Sequence, residues 1–338
     1  MIAGPCAAES YEQVMTTARA IAKLNIPIFR AGVWKPRTKP GCFEGVGYEA
    51  LNWLSQVKFQ TGLKVAIEVA TPAQAKAVVD AGIDVLWIGA RTTVNPFAVQ
   101  ELADELSQIS DYEKNRILVL IKNPVSYDVE LWAGAVERIK GSGVKQIGII
   151  HRGFTPCGYS PYRNTPSWNL AAEMHRRYPE MPFICDPSHM AGKASLVPGL
   201  SQTALNIGFD GLMVEAHYLP ETALSDKQQQ LSPDELAELN SSLVIRTETA
   251  TDNLSGLREE IDGIDSQLID LLVRRMNVSK AIGEVKQVGN LPIIQPERCS
   301  EVLASRSAEC VKLGLDEDFS HKLFGLIHDE SVRQQLSE

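Results

Sequence analysis

Four residues far apart in the chain carry donor atoms that bind metal ions: Cys6, His189, Glu215 and Asp226. A thiolate, an imidazole and two carboxylates make a mixed set of intermediate softness. Such a set suits one divalent ion of the Mn²⁺, Fe²⁺, Co²⁺ or Zn²⁺ kind. The ligand types exclude a closed four-cysteine zinc site. Taken singly, each residue has a plainer role. Cys6 reads as a buried thiol, His189 as a helix cap, and Glu215 and Asp226 as ion-pair or cap residues. A second group is cationic: Arg30, Lys35, Arg37, Arg91, Lys122 and Arg152. Its densest part is RAGVWKPRTKPGCFEGVG at residues 30–47, too broken by proline and glycine to be a helix. Six gathered cations repel one another unless anions lie among them. Guanidinium forks match phosphate oxygens, so the pattern points to phosphorylated ligands, more than one. Lys39, beyond the densest part, reads as solvated.

These residues need elements to bring them together. Short apolar runs alternate with amphipathic stretches over about 245 residues: IAG (2–4), IPIFRAG (26–32), KVAIEV (64–69), DVLWIG (84–89), RILVLIK (116–122), QIGII (146–150), PFIC (182–185) and DGLMVE (210–215). Between them, apolar residues recur every three or four positions, as in helices. Many of these stretches open on Ser, Thr, Asp or Asn and close near Gly. Eight strands alternating with helices predict an α/β fold, a (β/α)₈ barrel. A doubly wound open sheet is the alternative, but no GxGxxG or Walker motif supports it. Barrel enzymes carry their chemistry at the C-terminal ends of the strands. Cys6 follows the first run, Arg30 and Lys35 belong to the second, Glu68 ends the third, and Arg91 follows the fourth. Lys122 ends the fifth, Arg152 follows the sixth, Asp186 and His189 follow the seventh, and Glu215 and His217 end the eighth. All eight runs place a charged or coordinating residue at that one end.

The texture changes at RTETATD (246–252), which is polar and aperiodic. The expected domains are a barrel over 1–245, a linker over 246–252 and an all-helical domain over 253–338. The last begins with one long amphipathic helix whose stripe is Leu257, Ile261, Ile264, Leu268, Leu271 and Leu272. Two shorter helices follow. Three helices of such unequal length make a poor single-chain core, so this domain should dimerise.

Composition narrows the partners. The 338 residues carry 33 Lys and Arg against 42 Asp and Glu, for a net charge of −9. That balance argues against nucleic acid. No apolar run approaches bilayer length, and MIAGPCAAES lacks the regions of a signal peptide. The expectation is a cytoplasmic protein with no membrane partner. Its six cysteines form no CxxC pair and should be thiols.

Several motifs carry a resemblance. AGPCAAES, KPRTKP, IGARTT, DPSHMAGK and GLMVEAHYLPETALSD, in this order, are similar to those of the short type I barrel of 3-deoxy-D-arabino-heptulosonate 7-phosphate (DAHP) synthase. That barrel is shared with 3-deoxy-octulosonate 8-phosphate synthase, which remains the alternative. Pro36, Arg37 and Thr38 favour erythrose 4-phosphate over arabinose 5-phosphate, because the octulosonate enzymes typically have a KANR-like stretch there. The resemblance implies that the phosphate of phosphoenolpyruvate meets Arg91, Lys122 and Arg152, with its carboxylate near Lys35. Arg37 and Thr38 would hold the sugar phosphate. A divalent ion on Cys6, His189, Glu215 and Asp226 would polarise the aldehyde. Glu68, Asp186 and His217 are candidates, beside Lys35 and Lys122, for orienting water or moving protons. KNPVSYD (122–128) and HRGFTP (151–156) depart from the commonest family forms.

In the tail, LREEID, LLVRRMNVSKAIGEVK, PER and DESVRQQ resemble the all-helical chorismate mutase of the AroQ type. Arg258, Arg275, Lys286, Arg298, Ser331 and Gln335 fall at that family's substrate-contacting positions. The implied reaction rearranges chorismate to prephenate without metal or covalent intermediate. Gln295 and Cys299 stand where the family has acids, which implies altered contacts to the substrate hydroxyl and reduced activity. The family intertwines two chains, so a homodimer through 253–338 is implied. Two readings of the tail stay open: catalysis, or a sensing and dimerising module that regulates the barrel allosterically.

Overall fold

A computed structural model describes residues 1–35, 41–246 and 252–336. The chain divides into two compact units, residues 1–247 and 248–338. Each is described by itself.

In the first unit all eight apolar runs become strands: β1 (Ile2–Gly4), β2 (Ile28–Arg30), β3 (Lys64–Val69), β4 (Val85–Ile88), β5 (Leu118–Lys122), β6 (Gln146–His151), β7 (Phe183–Cys185) and β8 (Gly211–Glu215). They run parallel in sequence order, and β8 pairs with β1 to close the barrel. The open-sheet alternative is thereby ruled out. Helices fill the connections. Several of them begin on a side-chain cap: Ser10, Thr71, Ser110 and Asp128 each accept an N–H three residues on, and Asn95 accepts from Phe97 and Ala98.

The strand pleat sorts the side chains into two layers. Ile2, Ala66, Val85, Trp87, Leu120, Ile150, Ile184 and Met213 fill the barrel interior. The intervening residues, such as Phe29, Ile67, Leu86, Val119 and Ile149, pack outward against the helices.

His151 belongs to the outward set. Its ring is fully buried among Trp132, Phe154, Trp168 and Phe209. Nε2–H donates to Pro166 O at 2.5 Å. Burial pushes the imidazole down to about 3, aided by Arg152 and opposed by the Pro166 carbonyl. The ring is therefore neutral in the fold.

The second unit holds three helices, Asp252–Val288, Pro296–Lys312 and Glu317–Leu336. The expected linker falls mainly on 247–251, outside the described residues. Among the described residues no helix is long and apolar enough to cross a membrane.

His151 generates a pH prediction. Its folded pKa lies below its unfolded value, so its contribution to stability is complete above about pH 6.5 and is lost as pH falls toward 3. Between those limits unfolding takes up one proton. Wild-type stability should fall about 1.4 kcal/mol per pH unit more steeply than that of His151→Phe near pH 5. Urea unfolding at several pH values measures both slopes, and equal slopes would contradict a neutral buried ring.

Candidate active site

The site residues follow the same pleat. Glu68 lies two positions beyond Ala66, Lys122 beyond Leu120, Arg152 beyond Ile150, Asp186 beyond Ile184 and Glu215 beyond Met213. Arg30 stands two beyond Ile28, which packs on the same interior cluster. Each therefore tops the barrel interior at the C-terminal end.

Inside that mouth the charges are paired. Arg30 Nη2 lies 3.2 Å from Glu215 Oε1, with both side chains buried. Lys122 Nζ lies 2.6 Å from Asp186 Oδ2, also buried. Asp186 accepts from the backbone N–H of His189 at 3.1 Å as well, and its Oδ2 lies 2.8 Å from His189 Nδ1. Burial alone would raise this carboxyl, yet His189 and Lys122 hold it well below the usual carboxylate range. Burial lowers the His189 pKa, against Asp186 and Glu215. A neutral imidazole donating through Nδ1 leaves the Nε2 lone pair free, 3.6 Å from Glu215 Oε1.

The proposed metal ligands converge. Cys6 Sγ and carboxylate oxygens of Glu215 and Asp226 all lie within 4.8 Å of one another. His189 Nε2 stands beside Glu215 but is not within that span of all three. Among the described residues, buried Glu215 Oε1 makes no hydrogen bond, although Arg30 Nη2 and His189 Nε2 lie close by. The Cys6 thiol donates to Asp226 Oδ2 at 3.3 Å, and Lys35 Nζ donates to Cys6 Sγ at 3.0 Å. Burial, then Glu215, pushes the thiol up to about 12. Burial opposes ionisation of Asp226, but His189 and Arg163 hold it far below its ordinary value. These donors fit a divalent ion of intermediate softness, which would displace the thiol proton.

A cavity of about 210 Å³ adjoins them, lined by Glu68, Arg91, Lys122, Arg152, Asn164 and His189 among others. Arg152 has no carboxylate partner here. Its Nη1 donates to Asn164 Oδ1 at 2.8 Å, and its backbone N–H to Asn123 Oδ1 at 2.7 Å. Burial pulls its guanidinium down to about 10. Lys35 is held by Cys6 O at 2.9 Å. Gly32 is required beside it, since a Cβ there would stand 2.8 Å from Cys6 O and 3.1 Å from Lys35 Cδ.

Not every expected residue joins. The His217 ring accepts the Leu219 N–H at Nδ1, while Nε2 faces Glu9 Oε2 at 3.8 Å, so its partners lie outside this cluster. Pro36, Arg37 and Thr38 lie outside the described residues. Other groups went unforeseen. Gln229 Nε2 donates to Glu215 Oε2 at 2.7 Å, and Gln230 Oε1 accepts the Cys6 N–H at 2.9 Å. Arg163 ties Asp226 Oδ1 at 3.0 Å. The run of three glutamines after Asp226 was the one signal available for this support.

In the helical unit, Arg275 Nη1 donates to Ser331 Oγ and to Ile327 O at 3.3 Å. Lys286 Nζ donates to Ile293 O at 2.6 Å. Gln335 Oε1 is buried without a hydrogen-bond partner among the described residues, on backbone that approaches Gly283 closely. Arg298 pairs with Glu301 at the surface at 2.6 Å, and Arg258 is exposed.

Residues 1–251 match the model of the DAHP synthetase I family. The chain belongs to this family. Residues 257–336 match the model of chorismate mutase type II, so its helical unit is a domain of that type. A Thermotoga maritima relative named phospho-2-dehydro-3-deoxyheptonate aldolase is 34% identical over 239 residues, covering 71% of this chain and 67% of its own. A solved structure of DAHP synthase from that organism aligns with a TM-score of 0.62 at 30% identity, over 71% of this chain and 66% of that one. This chain thus spans just under two thirds of that structure. The T-protein of Enterobacter agglomerans is 40% identical over 82 residues, 24% of this chain and 22% of its own.

The Asp186 geometry makes a prediction. Asp186→Asn leaves the Lys122 ammonium buried without a counter-charge and loosens His189. Stability should fall by about 3 kcal/mol, and Mn²⁺ affinity by about tenfold. Urea unfolding and equilibrium dialysis measure the two. An unchanged stability would mean that water or another group replaces the carboxylate.

Proposed function

We propose that this chain condenses phosphoenolpyruvate with erythrose 4-phosphate and water, giving DAHP and inorganic phosphate, and that its helical unit converts chorismate to prephenate. One observation carries the first activity. A cavity lined by Arg91, Lys122 and Arg152 adjoins a thiol, an imidazole and two carboxylates at one barrel mouth. The Thermotoga relative's name supports the same reaction class.

The residues divide the work. Arg91, Lys122 and Arg152 bind the phosphate of phosphoenolpyruvate, and Lys35 its carboxylate. Arg37 and Thr38 bind the sugar phosphate. Arg30 holds Glu215 in place. The divalent ion that Cys6, His189, Glu215 and Asp226 would hold supplies Lewis acidity toward the aldehyde. The phosphoenolpyruvate methylene carbon forms a bond to the aldehyde carbon, whose oxygen takes a proton. Water adds at carbon 2, and the carbon–oxygen bond to phosphate breaks. In this reading Glu68 and Asp186 orient that water or move its protons. Holding two repelling dianions in attack geometry is the larger contribution of the protein. The six cysteines are all free.

For the helical unit, Arg275, Lys286, Ser331 and Gln335 supply the substrate contacts. Arg258 lies seventeen residues before Arg275, about 25 Å along the same helix, and serves a second copy. Leu257, Ile261, Ile264, Leu268, Leu271 and Leu272 are each 40% to 57% exposed in one chain, and a homodimer covers them. A second reading is favoured by Arg298, which pairs with Glu301, and by Cys299 and Gln295 beside it. In that reading the unit chiefly senses chorismate or prephenate and represses the barrel. Prephenate formation from chorismate tests the catalysis, and prephenate titrated into the condensation assay tests the regulation.

Three results test the proposal. Purified protein given phosphoenolpyruvate should consume erythrose 4-phosphate in preference to arabinose 5-phosphate, and the reverse preference would assign the octulosonate reaction. Cys6→Ala or chelation should lower condensation about a hundredfold or more, with metal restoring only the wild type. Arg275→Ala should lower prephenate formation about a hundredfold and leave condensation intact.

A further inference from the structure

Trp87 is the bulkiest side chain in the barrel interior and is fully buried on β4. Its ring lies directly beneath the charged mouth. Arg30 Cζ stands 4.9 Å from the ring centroid and Lys122 Nζ stands 5.6 Å from it. Both distances fall within cation–π range. The two cations come from β2 and β5, so one ring is the common floor for two strands.

That floor has a chemical consequence. Arg30 already spends one nitrogen on Glu215, and Lys122 already meets Asp186. Arg30 Nε and Nη1 are buried and have no hydrogen-bond partner among the described residues. An aromatic face offsets their desolvation without supplying a further carboxylate. A third or fourth carboxylate would compete with an incoming phosphate, whereas a π face does not.

The indole nitrogen does a second job. Trp87 Nε1–H donates to Glu68 Oε2 at 3.1 Å. Glu68 Oε1 lies against Gly89, where a Cβ would stand 2.1 Å from it. Glu68 is thus locked between an indole N–H and a glycine, and it lines two separate cavities, one with Arg91 and Lys122 and one with Lys35.

We propose that Trp87 is a positioning residue for the condensation: its ring face fixes Arg30 and Lys122 for anion binding, and its N–H orients Glu68 between the two cavities. A mere filler of the barrel would need neither the ring's charge distribution nor its donor. The inference rests on the phosphoenolpyruvate reading given above.

Two substitutions separate the functions. Trp87→Phe keeps a ring face and loses the donor. Trp87→Leu loses both. Calorimetry with phosphoenolpyruvate should show W87F binding within about threefold of wild type and W87L binding about tenfold more weakly or worse. Steady-state assays should show kcat lowered about tenfold in W87F with KM for phosphoenolpyruvate nearly unchanged, because only the Glu68 hydrogen bond is lost. W87L binding as tightly as wild type overturns the proposal. So does W87F losing as much affinity as W87L, or W87F keeping full kcat. If W87L does not fold, W87F alone decides: retained affinity with lowered kcat supports the proposal, and lost affinity overturns it. Wild-type protein that fails to bind phosphoenolpyruvate overturns the substrate reading itself, a result distinct from all of these.

Discussion

A closed parallel barrel admits alternate residues of each strand to its interior, and every feature of the mouth depends on that period of two. Below the mouth the inward positions are apolar and fill the barrel. One pleat repeat higher, the same faces carry Arg30, Glu68, Lys122, Arg152, Asp186 and Glu215. A shift of one residue in any strand would send its charge outward into the largely apolar layer between strands and helices. The apolar layer therefore fixes the register, and the register delivers the chemistry.

Charges placed in this way cannot stay alone, because water does not reach them from below. The deepest are accordingly paired: Arg30 with Glu215 and Lys122 with Asp186. At an effective dielectric constant of about 20, each close contact returns about 4 kcal/mol against desolvation. Further out the balance changes. The Arg152 guanidinium donates to the amide oxygen of Asn164, and burial draws its pKa down to about 10. Arg91 is exposed at the rim. The mouth is thus charge-paired at its base, while Arg152 and Arg91 above make no ion pair among the described residues.

The layout explains what could be read in advance. Eight apolar runs fixed the number of strands, and asking which residue follows each run found Cys6, Glu68, Lys122, Asp186 and Glu215. Position along a strand dictates direction only within the barrel. His217 is two residues beyond Glu215, yet the chain has left the barrel by then, since Ala216 pairs with Leu231 and the ring turns toward Glu9. Supporting amides are hidden from the sequence in another way. Gln230 meets Cys6 across 224 residues, and no local pattern encodes such a meeting. Trp87 was hidden for another reason: within an apolar run, an indole reads as filling, and its donor and ring face acquire meaning only when Glu68, Arg30 and Lys122 surround it.

The two units differ in self-sufficiency, and length shows why. The barrel closes on itself and leaves no strand edge. The first helix of the second unit, with 37 residues, is about 55 Å long. The helices that follow it, of 17 and 20 residues, reach only about 25 and 30 Å. Folded back in one chain, they can cover only part of it. Arg275 and Lys286 lie toward the covered end, where Ser331 and Ile293 receive them. Arg258 and most of the leucine and isoleucine stripe lie toward the other end, exposed. The single long helix thus carries its hydrogen-bonded cations at the covered end and its exposed apolar stripe toward the other.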